Sequence, residues 1–453
     1  MRVPLRDEGA LRVLEDVSGV KPVALSAWTV TARTFSALGN RNYRLFFLGQ
    51  TVSLTGSWLQ STAQAWLILE LTHSALILGL LLTVQFVPNL LLQPFGGVVA
   101  DRWPKRRLLI LTQSCFAITA ATLGITEALH LASVWEVFVV VATFGVINVV
   151  DGPARQAFVP EMVGKRRMPN AVALNSMVFN GARVVGPAVG GVLIATVGTA
   201  VCFELNAISY LAVIAGLILM RPAELHPNQR LEGGVAAVLT QVREAVGYVR
   251  RTPEVKLVIV LMAVVGTFSF NLTILITAIA RTGLHAGAGG FGLLSAALGA
   301  GALIGAIGVA YASRASIRGL LIGCAVFGLF LALAGQAPGM AVAMALLALA
   351  GGGMITYSAM SNSVVQTFTP GALRGRVMSL YLWVFLGSTP FGSLLFGGIE
   401  QAWGSRLATA LSGSAAVLAA LAGAWWWART ARSRRTYSGG SPPAEPMIAT
   451  AER

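Results

Sequence analysis

The stretch GGVVADRWPKRRLLI, from Gly96 to Ile110, places one acid, Asp101, and four bases, Arg102, Lys105, Arg106 and Arg107, between two long apolar runs. Charge is unfavourable in hydrocarbon, and a bilayer core about 30 Å thick is crossed by roughly 20 apolar helical residues. Each flank is that long. The stretch reads as a tight loop at a membrane surface, joining two spanning helices.

Composition extends this reading to the whole chain. Of 453 residues, 55% are hydrophobic and 11% charged, against roughly 25% charged in soluble domains. A bilayer core holds no water, so each backbone polar group must be satisfied within its own segment, which selects helices. Period-two alternation is absent from the long runs, which argues against a membrane barrel. The expected fold is an all-α integral membrane protein with twelve transmembrane helices. The first six fall near residues 45–70, 76–100, 107–129, 133–152, 170–196 and 200–220. The second six fall near 254–281, 288–312, 317–335, 339–366, 375–399 and 405–428.

Around these spans, residues 1–40 read as a cytoplasmic N-terminal arm without the apolar core of a secretory signal. Residues 41–220 form an N-terminal six-helix half, 221–253 a polar cytoplasmic linker and 254–429 a C-terminal six-helix half. Residues 430–453, rich in Ser, Pro and Arg, read as a disordered cytoplasmic tail. The net charge of +15 invites a nucleic-acid reading, but its placement argues otherwise. All but three of the 33 Lys and Arg fall in the termini and in loops of one side; the exceptions are Arg183, Arg281 and Arg406. That asymmetry is the positive-inside bias and puts both termini in the cytoplasm of a multi-pass cell-membrane protein. Trp425, Trp426 and Trp427, followed by Arg429, add an interfacial anchor on the same side.

The chain repeats itself. Gln156-Ala157-Phe158-Val159-Pro160 recurs as Gln366-Thr367-Phe368-Thr369-Pro370, about 210 residues later. The opening stretch recurs, weakened, as GVAYASRASIRGLLI from Gly308, where Ala312 or Ser313 stands near the place of Asp101. Two pseudo-repeated halves joined by a linker describe a secondary transporter with its site between them.

On these residues the chain resembles the major facilitator superfamily over about residues 40–430. Gly97, Asp101, Arg102, Lys105, Arg106 and Arg107 match its signature loop between helices two and three, with Pro104 where a Gly is common. Trp58-Leu59-Gln60, Gln64-Ala65-Trp66 and Leu71-Thr72-His73-Ser74-Ala75 are similar to the subgroup of siderophore exporters and macrolide-type efflux proteins. In helix five, Gly186-Pro187-Ala188-Val189-Gly190-Gly191 resembles the superfamily's antiporter motif, common in exporters, with Ala182 where that pattern has Gly. Gly and Pro there also permit close helix packing and bending without any directional meaning.

The loop has a role that follows from charge alone. Asp101, at the end of helix two, can face the N-terminus of helix eleven near Gly375 and Arg376, whose partial positive charge favours an anion by about 0.3–2 kcal/mol. That suits a conformational latch. The bases serve topology and anionic headgroups.

Arg183 is the sharpest single residue, because an ionisable side chain within a span is a functional candidate by default. Its expected partner is an acid on another helix or an anionic group of the substrate, and the competing reading is an Arg that snorkels to the headgroups. Polar stripes mark other faces: Ser53, Ser57, Gln60 and Gln64 on helix one; Gln85, Asn89 and Gln93 on helix two; Ser358, Asn362 and Gln366 on helix ten. Asn148 on helix four, and Thr267 with Asn271 on helix seven, are sparser. Stripes in a bilayer face protein or water. The resemblance implies that helices one, four, seven and ten line the path, which assigns Ser57, Gln60, Gln64, Asn148, Asn271, Ser358 and Asn362 to the cavity.

Proton coupling is less legible. Glu70, Glu127, Asp151, Glu204 and Glu400 all sit near expected helix ends, and Glu204 is the preferred candidate for coupling. The sequence lacks a phosphate-cradling G-x-x-x-x-G-K-[ST] loop, shows no cofactor motif, and offers no Ser–His, paired-carboxylate or metal-ligand set among its four histidines. Cys115, Cys202 and Cys324 lie far apart in apolar runs and suggest neither disulfide nor metal. The expectation is a non-enzymatic, monomeric exporter of small amphipathic molecules that uses protons; an uptake carrier of the same fold and a lipid flippase are the alternatives.

Overall fold

The computed structural model describes residues 36–226, 235–312 and 315–437, and within them the ordered structure is helical. The first half comprises α1 (Arg41–Thr72), α2 (Ala75–Arg102), α3 (Lys105–Ala128), α4 (Val134–Gly164), α5 (Arg166–Val197) and α6 (Ala200–Ile218). A linker helix, Val235–Arg251, precedes the second half. That half comprises α7 (Pro253–Gly283), α8 (Gly287–Ala312), α9 (Ile317–Ala334), α10 (Met340–Phe368), α11 (371–403) and α12 (405–437). The fold is that of twelve membrane helices in two six-helix halves.

Local chemistry sets the boundaries. Asn40, Ser74, Ser133 and Ser316 cap α1, α2, α4 and α9 by accepting from the backbone N–H three residues on, at 3.1–3.3 Å, which satisfies donors that a helix start leaves free. Two helices run on through sharp breaks at Gly164 (φ 69°, ψ 168°) and Gly404 (φ 81°, ψ 173°). Both lie in the region that only glycine adopts at little cost, so α4 turns directly into α5, and α11 into α12. Ten stretches are long and apolar enough to cross a membrane. One of them is divided at Gly404, and α1, interrupted by its Ser and Gln stripe, is not among the ten. Leu91, Ile118, Ile304 and Leu418 point outward with more than half their surface exposed, as lipid-facing side chains do.

Three boundaries differ from expectation. Helix four, expected to end at 152, runs to Gly164 through Pro153 and Pro160. The extra turns carry Arg155, Gln156 and Glu161, while Phe158, Val159, Met162 and Val163 pack into the buried core of the first half. The linker contains a helix where only polar chain is expected; Arg376 at the start of α11 pairs with its Glu244, and its Tyr248 hydroxyl donates to the Phe368 carbonyl. The last helix continues to Tyr437, through the first residues assigned to the tail. The rest of the tail and nearly all of the N-terminal arm lie outside the described residues.

Both described chain ends, the linker and most Lys and Arg gather at one end of the bundle, here the basic end. The halves meet mainly toward the opposite, far end. There α2 packs on α11, and α5 on α8. A Cβ added at Gly191 would lie 2.5 Å from the Gly292 Cα, so these two helices touch backbone to backbone, as small residues allow. Thr83 Oγ1 donates to the Pro390 carbonyl at 2.9 Å, and Gln401 Oε1 accepts from the Ala75 N–H at 2.9 Å. Toward the basic end, by contrast, Cβ atoms at Gly97, Gly308, Gly371 or Gly375 would meet nothing within 4 Å. The bundle is closed at the far end and splayed at the basic end.

This geometry makes Gly191 a sensitive position. Gly191→Leu is expected to hold α5 off α8 and open the far end. The check is labelling of Ile274→Cys, a far-end residue with 1% of its surface exposed, by an impermeant thiol reagent added from that side. The rate should rise several-fold at constant pH, on the scale of the roughly 1–3 kcal/mol that overpacking costs.

Candidate functional site

A cavity of about 570 Å³ lies between the halves, within the range of small-molecule sites. All six helices of the first half contribute residues, with α3 adding Phe116 alone, and the second half contributes residues of α7, α8 and α11. Helix α7 is broken at its wall. Regular structure stops at Phe268 and resumes at Leu272, and Phe270 and Asn271 in the gap both line the cavity. Asn271 Nδ2 donates to the Thr267 carbonyl at 2.7 Å, and Asn271 Oδ1 accepts from Ser393 Oγ at 3.3 Å. These bonds employ polar groups that an unwound helix leaves inside the membrane.

The walls are aromatic. Phe116 stacks on Tyr210 at 5.4 Å and lies 4.3 Å from Phe144; Trp58 meets Phe179 edge-on at 5.9 Å, and Phe270 meets Phe385 at 5.2 Å. Into this apolar chamber come three charges, from Asp151, Arg155 and Arg183.

Arg183 lies roughly 25 Å along α5 from Arg166 at 1.5 Å per residue, too deep for simple snorkelling. Its guanidinium carbon is 5.8 Å from the Trp58 ring centroid, and Nη2 is 3.3 Å from Met354 Sδ. Four ion pairs occur among the described residues, and Arg183 belongs to none of them. A cation held by an aromatic face and a thioether keeps most of its hydrogen-bonding capacity free.

Asp151 has 1% of its surface exposed. Its Oδ1 accepts from Thr112 Oγ1 at 2.7 Å and Gln113 Nε2 at 2.9 Å, and its Oδ2 accepts from Arg155 Nε at 3.2 Å. Arg155 also donates to Gln50 Oε1. This carboxylate–guanidinium pair on the cavity wall is a correction to the sequence reading, which puts Asp151 at a helix end and Arg155 in a basic loop. Because α4 runs on to Gly164, Asp151 stands roughly 20 Å before its end.

Of the other expected cavity residues, Ser57, Asn148 and Asn271 line the chamber. Ser57 Oγ lies 3.2 Å from the Tyr210 hydroxyl. Gln60 and Gln64 do not line it: they are buried within the first half, where Gln60 accepts from Asn206 of α6. Ser358 and Asn362 on α10 also stand off the lining, with Asn362 accepting from Gln366. Glu204 packs beside Gly124 of α3, away from the cavity. The helix-five motif is divided. Pro187 lines the cavity, Gly186 and Gly190 face Trp58 and Thr62 of α1, and Gly191 faces α8.

In the signature loop, Lys105 pairs with Glu161 at 3.4 Å. Arg106 donates to the Leu217 and Ile218 carbonyls at 2.6 and 3.0 Å, which caps the end of α6. Arg102 and Arg107 are exposed, and Gly97 has open space beside it. Asp101 closes the last turn of α2; its side chain lies outside the described structure.

A family model described as transmembrane secretion effector matches residues 32–438. The enterobactin exporter EntS of Citrobacter koseri is 26% identical over 381 residues, covering 84% of this chain and 90% of that protein. The staphyloferrin A transporter of Staphylococcus aureus is 30% identical over 172 residues, covering 38% of this chain and 43% of that protein. Among solved structures, a point mutant of the nucleoside transporter NupG superposes with a TM-score of 0.67 at 13% identity, over 85% of this chain and 99% of that one. An inward-facing bacterial homologue of ferroportin does so at 0.63 and 14%, over 85% and 98%. The chain therefore belongs to the transmembrane secretion effector family of the major facilitator superfamily and is a membrane transporter, not an enzyme.

Proposed function

We propose that this protein exports small anionic molecules bearing aromatic rings, in exchange for protons, by alternating access. Arg183 carries this reading: a cavity cation over Trp58 with no carboxylate partner among the described residues. A guanidinium in an apolar chamber binds an anion strongly, and the surrounding rings offer stacking surfaces. Relatives named for exporting enterobactin support the direction and the class of cargo. The basic end is assigned to the cytoplasm by its Lys and Arg, which makes the present conformation inward-open, the loading state of an exporter. Asp101 is the latch of the opposite state, in which the basic ends close and α2 meets the start of α11. Asp151, paired with Arg155, is the proton carrier.

The test uses everted membrane vesicles, acid inside, offered iron-free enterobactin. Accumulation that a protonophore abolishes is the expected result, with Asp101→Asn reducing it severely at normal expression. Accumulation indifferent to the protonophore overturns proton coupling. Failure to accumulate, with movement of a labelled phospholipid instead, makes the protein a flippase.

A further inference from the structure

A second cavity, of about 340 Å³, lies at the far end and shares no lining residue with the first. Its walls include Leu69 and His73 from the end of α1, Arg281 from α7, and Glu400 and Gln401 from α11. Arg281 crosses between the halves here. Its Nη1 donates to the Leu69 carbonyl at 3.0 Å, and its Nη2 is 2.9 Å from His73 Nδ1.

His73 is held in place by its backbone. It caps α1 in the left-handed conformation, φ 55°, with its N–H donating to the Leu69 carbonyl at 2.9 Å. Its Nδ1 also lies 3.0 Å from that same carbonyl. The nitrogen thus has two neighbours that ask opposite things of it. The carbonyl can only accept, so it requires a hydrogen on Nδ1. Guanidinium nitrogens only donate, so Arg281 requires a bare Nδ1. The neutral ring with its hydrogen on Nε2 satisfies Arg281. A protonated ring turns Nδ1–H to the carbonyl and sets a positive charge against a guanidinium that cannot lose its own.

We propose that His73 is a proton-binding site that controls the far-end gate through Arg281. The neutral ring ties α7 to α1 and holds the far end shut; the protonated ring expels Arg281. An acceptor waits on Arg281's own half. Glu400, with 8% of its surface exposed, lines the same cavity and, among the described residues, accepts from Thr282 Oγ1 alone, at 3.3 Å. Glu70, on His73's own helix, accepts from Trp66 Nε1, and His285 follows Arg281 in the connection from α7 to α8. The facing part of α2 carries no titratable residue. Resting on the orientation proposed above, the gate answers to acidity outside the cell, so external protons favour the state that releases cargo.

The experiment measures the gate without any substrate, so its outcome is independent of the export assay. Nitroxide labels at Leu131→Cys and Pro338→Cys, exposed far-end residues of the two halves, report their separation by pulsed electron paramagnetic resonance. The background lacks Cys115, Cys202 and Cys324. Histidine changes charge between pH 5 and 8, so spectra are taken at both limits. Loss of a charge-assisted hydrogen bond should shift the open-to-closed ratio about tenfold toward the longer distance at pH 5. His73→Asn keeps an acceptor at the position of Nδ1 and tolerates the left-handed backbone, and should remove the pH response. Arg281→Gln should also remove it, and Glu400→Gln should retain it. An unchanged separation in the parent protein overturns the proposal, as does a response that survives His73→Asn or vanishes only in Glu400→Gln.

Discussion

Arg183→Ala is expected to weaken cargo binding by roughly 100-fold, about 2.7 kcal/mol, without destabilising the protein. The two halves of that expectation have one cause. No carboxylate among the described residues is paired with Arg183, so its removal orphans no buried acid. The cation itself costs about 2.5–3.5 kcal/mol at the centre of a span on the insertion scale, so the variant should melt no lower than the parent. Arg183→Lys keeps the charge but replaces a planar fork with a point ammonium. It should recover part of the affinity for a compact anion and little for a carboxylate gripped by two hydrogen bonds. Equilibrium binding of iron-free enterobactin to the purified protein reads the first effect, and thermal unfolding the second. Unaltered binding by Arg183→Ala would make the residue a packing element held by Trp58 and Met354.

Much of this arrangement is legible in the sequence, for physical reasons. Twelve helices follow from apolar runs of membrane length, and the two halves follow from the repeated Gln156–Pro160 and Gln366–Pro370 segments. Arg183 stands out because a charge within a span has few explanations. The stripe on α1 is legible only in part. Ser57 lines the cavity, but Gln60 and Gln64 on the same stripe are buried within the first half, where Gln60 meets Asn206 of α6. Periodicity shows that a polar face needs partners; it does not say whether they are protein or water. The same ambiguity puts Ser358 and Asn362 on the lining when only the sequence is read. Asp151 and Arg155 are hidden differently: the charges at 151 and 155 around Pro153 read as the end of a helix. Helix α4 instead continues through Pro153 and Pro160 to Gly164.

Asp151→Asn should separate movement of cargo from its energisation. Asparagine keeps the shape and can still accept from Thr112 and Gln113, but it cannot carry a proton. A pH gradient of one unit is worth about 1.4 kcal/mol per proton, so one-for-one antiport concentrates cargo roughly tenfold. In vesicles carrying Asp151→Asn that ratio should fall to about one, while exchange of labelled for unlabelled cargo continues. The variant also leaves Arg155 without its carboxylate, and breaking a buried pair from one side costs up to about 3–5 kcal/mol. Here the loss should be smaller, because the Arg155 side chain is 24% exposed and Gln50 still accepts from it. Lower stability is therefore expected, opposite to Arg183→Ala, and Asp151→Asn combined with Arg155→Gln should restore part of it. That double variant decides the interpretation. If it recovers both stability and gradient-driven accumulation, the defect lay in the orphaned guanidinium and Asp151 is structural. If it recovers stability while accumulation stays near one, the carboxylate on α4 is where the proton travels.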